Sequence, residues 1–326
     1  MNRRYLVVPD SFKGTFSASE VAQAIARGIG EAGDVADLCP AADGGEGTLE
    51  ILLGESGGTK IEVDVHDALQ RPIRAAFGLL APDTALVEVA AASGLPSLAP
   101  AELDAERADT FGTGELISAA IETGAKTVLV AAGGSATTDG GRGAIEALRQ
   151  NPKLQGVRLE VLCDVDTLYE DAARVFAPQK GADAAAVQRL TARLEAFAPT
   201  LERDPRGIPM GGCAGGLSGG LMGAFDAQLR PGAAFVLERL GFAHRLASAD
   251  AAITGEGQID GQSLHGKVVG TVAELCARAK RPLHVIAGRN ALSPQRAQAA
   301  GIASISQGST LEEIAAAGRS IARHGR

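Results

Sequence analysis

The sequence predicts a two-domain α/β protein: a flavodoxin-like or Rossmann-like parallel sheet built from both chain ends, with a second, mixed α/β domain inserted between them. Three observations predict it. The chain has 326 residues, too many for one ordinary core. Short apolar runs alternate with helical periodicity at both ends. Between them, three strand-like runs follow one another without a helix.

Taken in order, Tyr5-Leu6-Val7-Val8 reads as a buried parallel strand, ending at Pro9-Asp10. That run is too short for the apolar core of a signal peptide, and no stretch reaches the ~18 residues of a membrane span. Ser17 and Glu20 form a capping-box pattern, and Val21, Ala24, Ile25 and Gly28 continue with helical spacing. A second helix is expected from Thr48. Ile61, Val63 and Val65 alternate with Glu62, Asp64 and His66, the period of a half-exposed strand. Further strands are expected over 73–80 and 85–91. From Gly112 the chain returns to strand–helix alternation, with a strand over 127–131, a glycine-rich turn over 133–143 and a strand over 159–163. Asp183 stands where it would cap a helix over 184–197. Strands over 251–254, 284–287 and 302–306 and helices over 268–279 and 311–323 complete the chain. The boundaries expected are 1–60 plus 232–326 for the first domain and 61–231 for the second, with the active site in the cleft between them.

Charge and cysteines narrow the class. A net charge of −8 argues against nucleic acid or an anionic membrane as partner. Cys39, Cys163, Cys213 and Cys276 lie far apart without metal-ligand spacing, as expected of reduced, buried thiols in a cytoplasmic protein.

Glycine is the outlier: 42 copies, well above the usual ~7%. Five clusters set glycine at the end of a strand-like run or the start of a helix, four of them beside Asp or Glu. They are 10–14, 42–47, 133–141, 211–220 (which lacks an acid) and 255–261. Ligands of open α/β sheets sit outside the carboxyl ends of strands. Glycines there free backbone N–H groups for phosphate oxygens, and carboxylates hold Mg²⁺ or receive a proton. Gly261-Gln262-Ser263-Leu264-His265-Gly266-Lys267 matches the front of a Walker A loop, but Val268 stands where a P-loop needs Ser or Thr. No Walker A P-loop is therefore expected. A nicotinamide-dependent oxidoreductase and a non-catalytic small-anion binding protein remain alternatives, although no G-x-G-x-x-G follows the first strand.

The same segments resemble, in order, the glycerate kinase type-1 family of bacterial glycerate 2-kinases. The resemblance rests on Pro9-Asp10-Ser11-Phe12-Lys13-Gly14, Ala42-Asp43-Gly44-Gly45-Glu46-Gly47-Thr48 and Thr110-Phe111-Gly112-Thr113-Gly114-Glu115-Leu116. It continues through Gly133-Gly134-Ser135-Ala136-Thr137-Thr138-Asp139-Gly140-Gly141, Cys163-Asp164-Val165, Pro178-Gln179-Lys180-Gly181-Ala182 and Ile253-Thr254-Gly255-Glu256-Gly257-Gln258-Ile259-Asp260-Gly261. The chain departs from the family pattern at Asp166-Thr167-Leu168-Tyr169-Glu170-Asp171, where Asn-Pro-Leu and glycines are usual.

The resemblance implies an ATP- and Mg²⁺-dependent kinase of D-glycerate, making 2-phosphoglycerate, with a homodimer left open. Within that reading Lys13, Lys180 and Lys267 are the expected cations. Asp43, Asp164 and Glu256 are the expected metal carboxylates, and Asp260 the base. Gly133, Gly134, Ser135, Asp139, Gly140, Gly215 and Gly216 are expected around the nucleotide phosphates.

Overall fold

The computed structural model describes residues 2–324; Met1, Gly325 and Arg326 lie outside the described residues. Its strands are β1 Arg4–Val7, β2 Val35–Leu38, β3 Thr59–His66, β4 Pro72–Ala81, β5 Thr84–Glu88, β6 Thr127–Ala131, β7 Arg158–Cys163, β8 Gln228–Pro231, β9 Ala251–Ile259, β10 Leu283–Asn290 and β11 Ile302–Gln307. The chain divides into two compact units, residues 1–43 with 233–326, and residues 44–232.

The first unit carries a wholly parallel sheet in the order β11-β10-β9-β1-β2. In order of appearance this is 2-1-3-4-5, the flavodoxin arrangement, with its topological switch point between β1 and β9. One face of its core joins Tyr5, Val7, Ile253 and Ile286 to Val21, Ile25, Ile314 and Ile321 of helices Ala18–Glu31 and Leu311–His324. These two helices pack closely because Gly28 has no side chain: a Cβ there would lie 1.9 Å from the Ala315 carbonyl oxygen. The capping box is formed, the Glu20 amide donating to Ser17 Oγ (3.3 Å) and the Ser17 amide to Glu20 Oε2 (2.8 Å).

The second unit has a six-stranded sheet in the order β3-β4-β5-β6-β7-β8. The first three strands are antiparallel and the last four parallel. Its core gathers Phe77, Val87, Val128 and Val161 with apolar faces of helices Phe111–Glu122, Arg142–Arg149 and Cys213–Phe225. Asp183 caps helix Ala184–Phe197 by accepting from the Ala186 amide at 2.7 Å.

Three expectations shift. Residues 44–60 lie with the second unit, because Leu49 and Leu53 of helix Thr48–Ser56 pack over Gly78 of β4. The strand expected over 85–91 stops at Glu88, and Val89–Ser93 turns helical. The strand expected to end at 254 runs on to Ile259, with Gly255, Glu256, Gln258 and Ile259 paired with β10, so Gly255, Glu256 and Gly257 are strand residues.

Candidate active site

The carboxyl ends of β1 and β9 meet at the switch point of the first unit, and a pocket of about 490 Å³ opens there. Its walls include Asp10 and Lys13 after β1, Asp43, Glu256 within the carboxyl half of β9, and Asp260 and Lys267 in the turn that follows. Its size falls in the range of small-molecule sites, ~300–1,000 Å³.

The pocket concentrates negative charge with little compensation. Asp10 is buried, and burial together with the nearby Asp43 charge pushes its carboxyl up to about 7, against the opposing pull of Lys13. Glu256 is likewise raised to about 7 by burial, against a hydrogen bond from Ser263 and the charge of Lys267. Its Oε1 is buried without a hydrogen-bond partner, a costly state for a carboxylate oxygen. Lys13 reaches Asp43 (Nζ···Oδ2 3.3 Å), the carboxylate buried and the lysine 60% exposed.

Asp260 behaves differently. Burial raises its carboxyl, but the Gln262 and Ser263 amides, donating at 2.8 and 3.2 Å, outweigh this and hold it below the usual range. It pins the turn between β9 and helix Val268–Ala279. This disagrees with its expected role as base, since a carboxylate stabilised in its charged form is a weak proton acceptor. Lys267 stands at the N-cap of that helix, and Val268 at its first position is fully buried.

Several expected site residues fall in the second unit. Lys180 is 1% exposed; its Nζ donates to Ser135 Oγ (3.0 Å) and to the Thr137 carbonyl (2.5 Å). Burial lowers its pKa to about 7, against the charges of Asp139 and Asp164. It borders a cavity of only about 80 Å³, with Gly133, Gly134, Ser135, Asp164 and Gly215 also in its wall. That space is far below what a nucleotide needs. Lys180 thus braces the glycine turn. Asp139 is also committed: its carboxylate accepts from the amides of Thr110, Gly141 and Gly143 (3.0 Å each) and from Thr110 Oγ1 (2.8 Å). Its work is to hold the turn against helix Arg142–Arg149.

The glycine clusters of this unit serve close packing. The amide of Gly133 donates to the Gly44 carbonyl, that of Gly140 to the Gly215 carbonyl, and that of Gly216 to the Gly212 carbonyl. Residues 214–216 all have positive φ, and Cβ atoms at Gly140 and Gly216 would come within 2.2 and 2.9 Å of the buried Tyr169 side chain. Tyr169 belongs to the segment that departs from the family pattern, and the glycines make room for its ring.

Sequence reasoning missed Asp10. The available signal was its place at the end of the first strand, three residues before Lys13. Among the described residues no group of three or more His, Cys, Asp or Glu side chains is arranged to hold a metal ion, and no helix is long and apolar enough to cross a membrane.

A doubly wound sheet with charged side chains converging at its switch point defines an α/β protein whose candidate site lies at the strand ends. Comparison with known proteins narrows the class. The family model described as glycerate kinase family matches residues 5–151 and 149–323. A glycerate kinase of Bacillus subtilis (strain 168) is 38% identical, with 87% of this chain and 85% of that protein covered. A glycerate 2-kinase of Escherichia coli (strain K12) is 36% identical over the same shares. The crystal structure of a Salmonella typhimurium LT2 chain assigned as glycerate kinase 2 superposes with a TM-score of 0.82 at 33% identity, covering 99% of this chain and 98% of that one. The chain belongs to the glycerate kinase family, and it is a kinase, which removes the oxidoreductase and the non-catalytic binding protein as readings.

Proposed function

We propose that the chain moves the γ-phosphate of ATP onto the 2-hydroxyl of D-glycerate, with Mg²⁺ as the accompanying cation. The observation that carries this reading is the strand-end pocket, where Lys13 and Lys267 share about 490 Å³ with Asp10, Asp43 and Glu256. Phosphoryl transfer is mostly positioning and charge neutralisation, and these are the groups it uses.

The residues fit a divalent cation. Glu256 has a buried oxygen with no partner, and a metal ligand's place would satisfy it. Asp43 and Glu256 would hold Mg²⁺, which commonly takes one or two carboxylates and completes its shell with phosphate oxygens and water. Bound there, the ion supplies charge neutralisation between the transferring phosphate groups. Lys13 and Lys267 orient the phosphates and oppose their negative charge. Asp10, with a pKa of about 7, accepts the hydroxyl proton near neutral pH; this role replaces the one expected of Asp260. Asp164, within the second unit, is left without a metal role.

A coupled assay of ADP release over small hydroxy acids is expected to respond to D-glycerate, and phosphorus NMR of the product to show 2-phosphoglycerate. Silence with glycerate overturns the donor–acceptor assignment, and 3-phosphoglycerate as the main product overturns the regiochemistry alone.

Val268 offers a separate check on the phosphate-binding loop. Val268→Thr is expected to lower stability by about 1–2 kcal/mol through burial of a hydroxyl and to leave Mg²⁺ dependence unchanged. Thermal melting and a magnesium titration of the rate test both halves. Tighter metal activation would point instead to a P-loop.

A further inference from the structure

A groove of about 630 Å³ opens on the second unit, walled by helix Arg142–Arg149, helix Ala184–Phe197 and residues 200–201. It shares no lining residue with the strand-end pocket. Its apolar surface comes from Ile145, Phe197 and Leu201, and three arginines, Arg142, Arg149 and Arg193, stand exposed around it. Arg142 and Arg149 are seven residues apart, so they share a helix face with their backbones about 10 Å apart along the axis.

The positive charge of this groove is largely uncommitted. Among the described residues Arg142 and Arg149 make no side-chain hydrogen bond or ion pair, and Arg193 gives one N–H to the Glu106 carbonyl (2.8 Å). Glu146 lies between the two helix arginines and, among the described residues, pairs with neither; Arg preceding Glu at i,i+4 is the less favourable order. Asp139 also lines the groove, but its carboxylate is taken up by four donors of the protein. Three guanidiniums thus face one unengaged carboxylate, on a chain whose net charge is −8. Guanidinium forks match phosphate oxygens in bidentate pairs. The volume, within the ~300–1,000 Å³ of small-molecule sites, exceeds what bare phosphate fills, and its apolar wall suits a carbon body.

We propose that this groove is a second binding site, for a small organic phosphate. The phosphate group is held by Arg142, Arg149 and Arg193, and the carbon body lies over Ile145 and Phe197.

Isothermal titration of the full chain with 3-phosphoglycerate, AMP and inorganic phosphate tests this. The titrations are repeated on the double variant Arg142→Ala/Arg149→Ala and on Lys13→Met/Lys267→Met. At least one of the two esters is expected to bind the wild type, to bind the lysine variant equally, and to bind the arginine variant at least tenfold more weakly. The arginine variant should keep the wild-type melting temperature and kcat, since both residues are exposed and remote in sequence from the strand-end pocket. Whichever ester binds tells a phosphorylated acid from a nucleotide, and either supports the site. No ester binding overturns the proposal, as does binding that only the lysine variant weakens, which assigns it to the strand-end pocket. Inorganic phosphate bound as tightly as the esters overturns the organic body. None of these outcomes bears on ADP release with glycerate, which tests the transfer reaction by itself.

Discussion

Lys267→Met is expected to lower kcat about 10²-fold or more, while KM for glycerate moves far less. Methionine keeps an unbranched apolar stem close to that of lysine and removes the ammonium with its charge and donors. That charge lies close enough to Glu256 to oppose the rise of its pKa, so its field reaches the pocket that holds the carboxylates. A contact made to charge developing in the transition state contributes about 3–4 kcal/mol in a water-poor site, which corresponds to the loss expected. The rival reading is an exposed lysine with an ordinary surface ion pair, worth ~0–1 kcal/mol and hence at most about a fivefold change. A tenfold loss divides the two. Steady-state kinetics at saturating ATP and magnesium decide it, and a variant within fivefold of the wild-type kcat removes Lys267 from the phosphate. Helix Val268–Ala279 begins at the residue after Lys267, and the Asp260 turn ahead of it is held by Gln262 and Ser263 amides. The substitution therefore leaves the scaffold of the loop in place, and the kinetic change reports charge.

Local rules made much of this fold legible. The Ser17–Glu20 capping box, the alternation of β3 and the Asp183 cap each depend on residues a few positions apart, and each forms as its spacing requires. Where a feature depends on a distant partner, sequence reasoning loses it. Nothing local says that β9 continues past Thr254; the glycines and acid there look like a turn, and only pairing with β10 keeps them extended. The short strand β2 is half-exposed and weakly apolar, and its pairing with β1 is what defines it. The same limit applies to the site. A lysine beside glycine in a loop reads as a phosphate ligand, yet Lys180 is buried and donates hydrogen bonds to Ser135 Oγ and the Thr137 carbonyl, more than forty positions away. Asp139 stands in a glycine turn like the other candidates, but Thr110 and the turn's own amides use its oxygens. Asp10 and Glu256 matter because the chain buries them together with few donors, a property of three-dimensional packing that composition does not carry.

That uncompensated burial sets up opposite changes in activity and stability on neutralising the same carboxylates. Asp10→Asn and Glu256→Gln are each expected to lower kcat by about 10²-fold or more and, at pH 8, to raise the melting temperature. Both native pKa values are raised to about 7, Asp10 by burial and the Asp43 charge and Glu256 by burial. The unfolded chain loses these protons near 3.8 and 4.5. Between those values and about 7 the native state binds more protons than the unfolded one, so stability falls as pH rises through that window. The contribution is fully present below about pH 4 and gone above 7. The amides cannot ionise and escape this loss. With each pKa unit worth about 1.4 kcal/mol, the gain at pH 8 is on the order of 2 kcal/mol or more per site, several degrees in melting temperature. It should shrink on acidification and vanish near pH 4. Asp260→Asn is the control of opposite sign: its carboxylate is stabilised by donors in the fold, so its loss should destabilise the protein at pH 8. Melting is followed from pH 4 to 8 without nucleotide or divalent metal, because a bound cation would relieve the same repulsion. A lower melting temperature for Asp10→Asn at pH 8, with kcat retained, would mean that Asp10 is a satisfied structural carboxylate, and the proton-accepting role would then fall to Glu256.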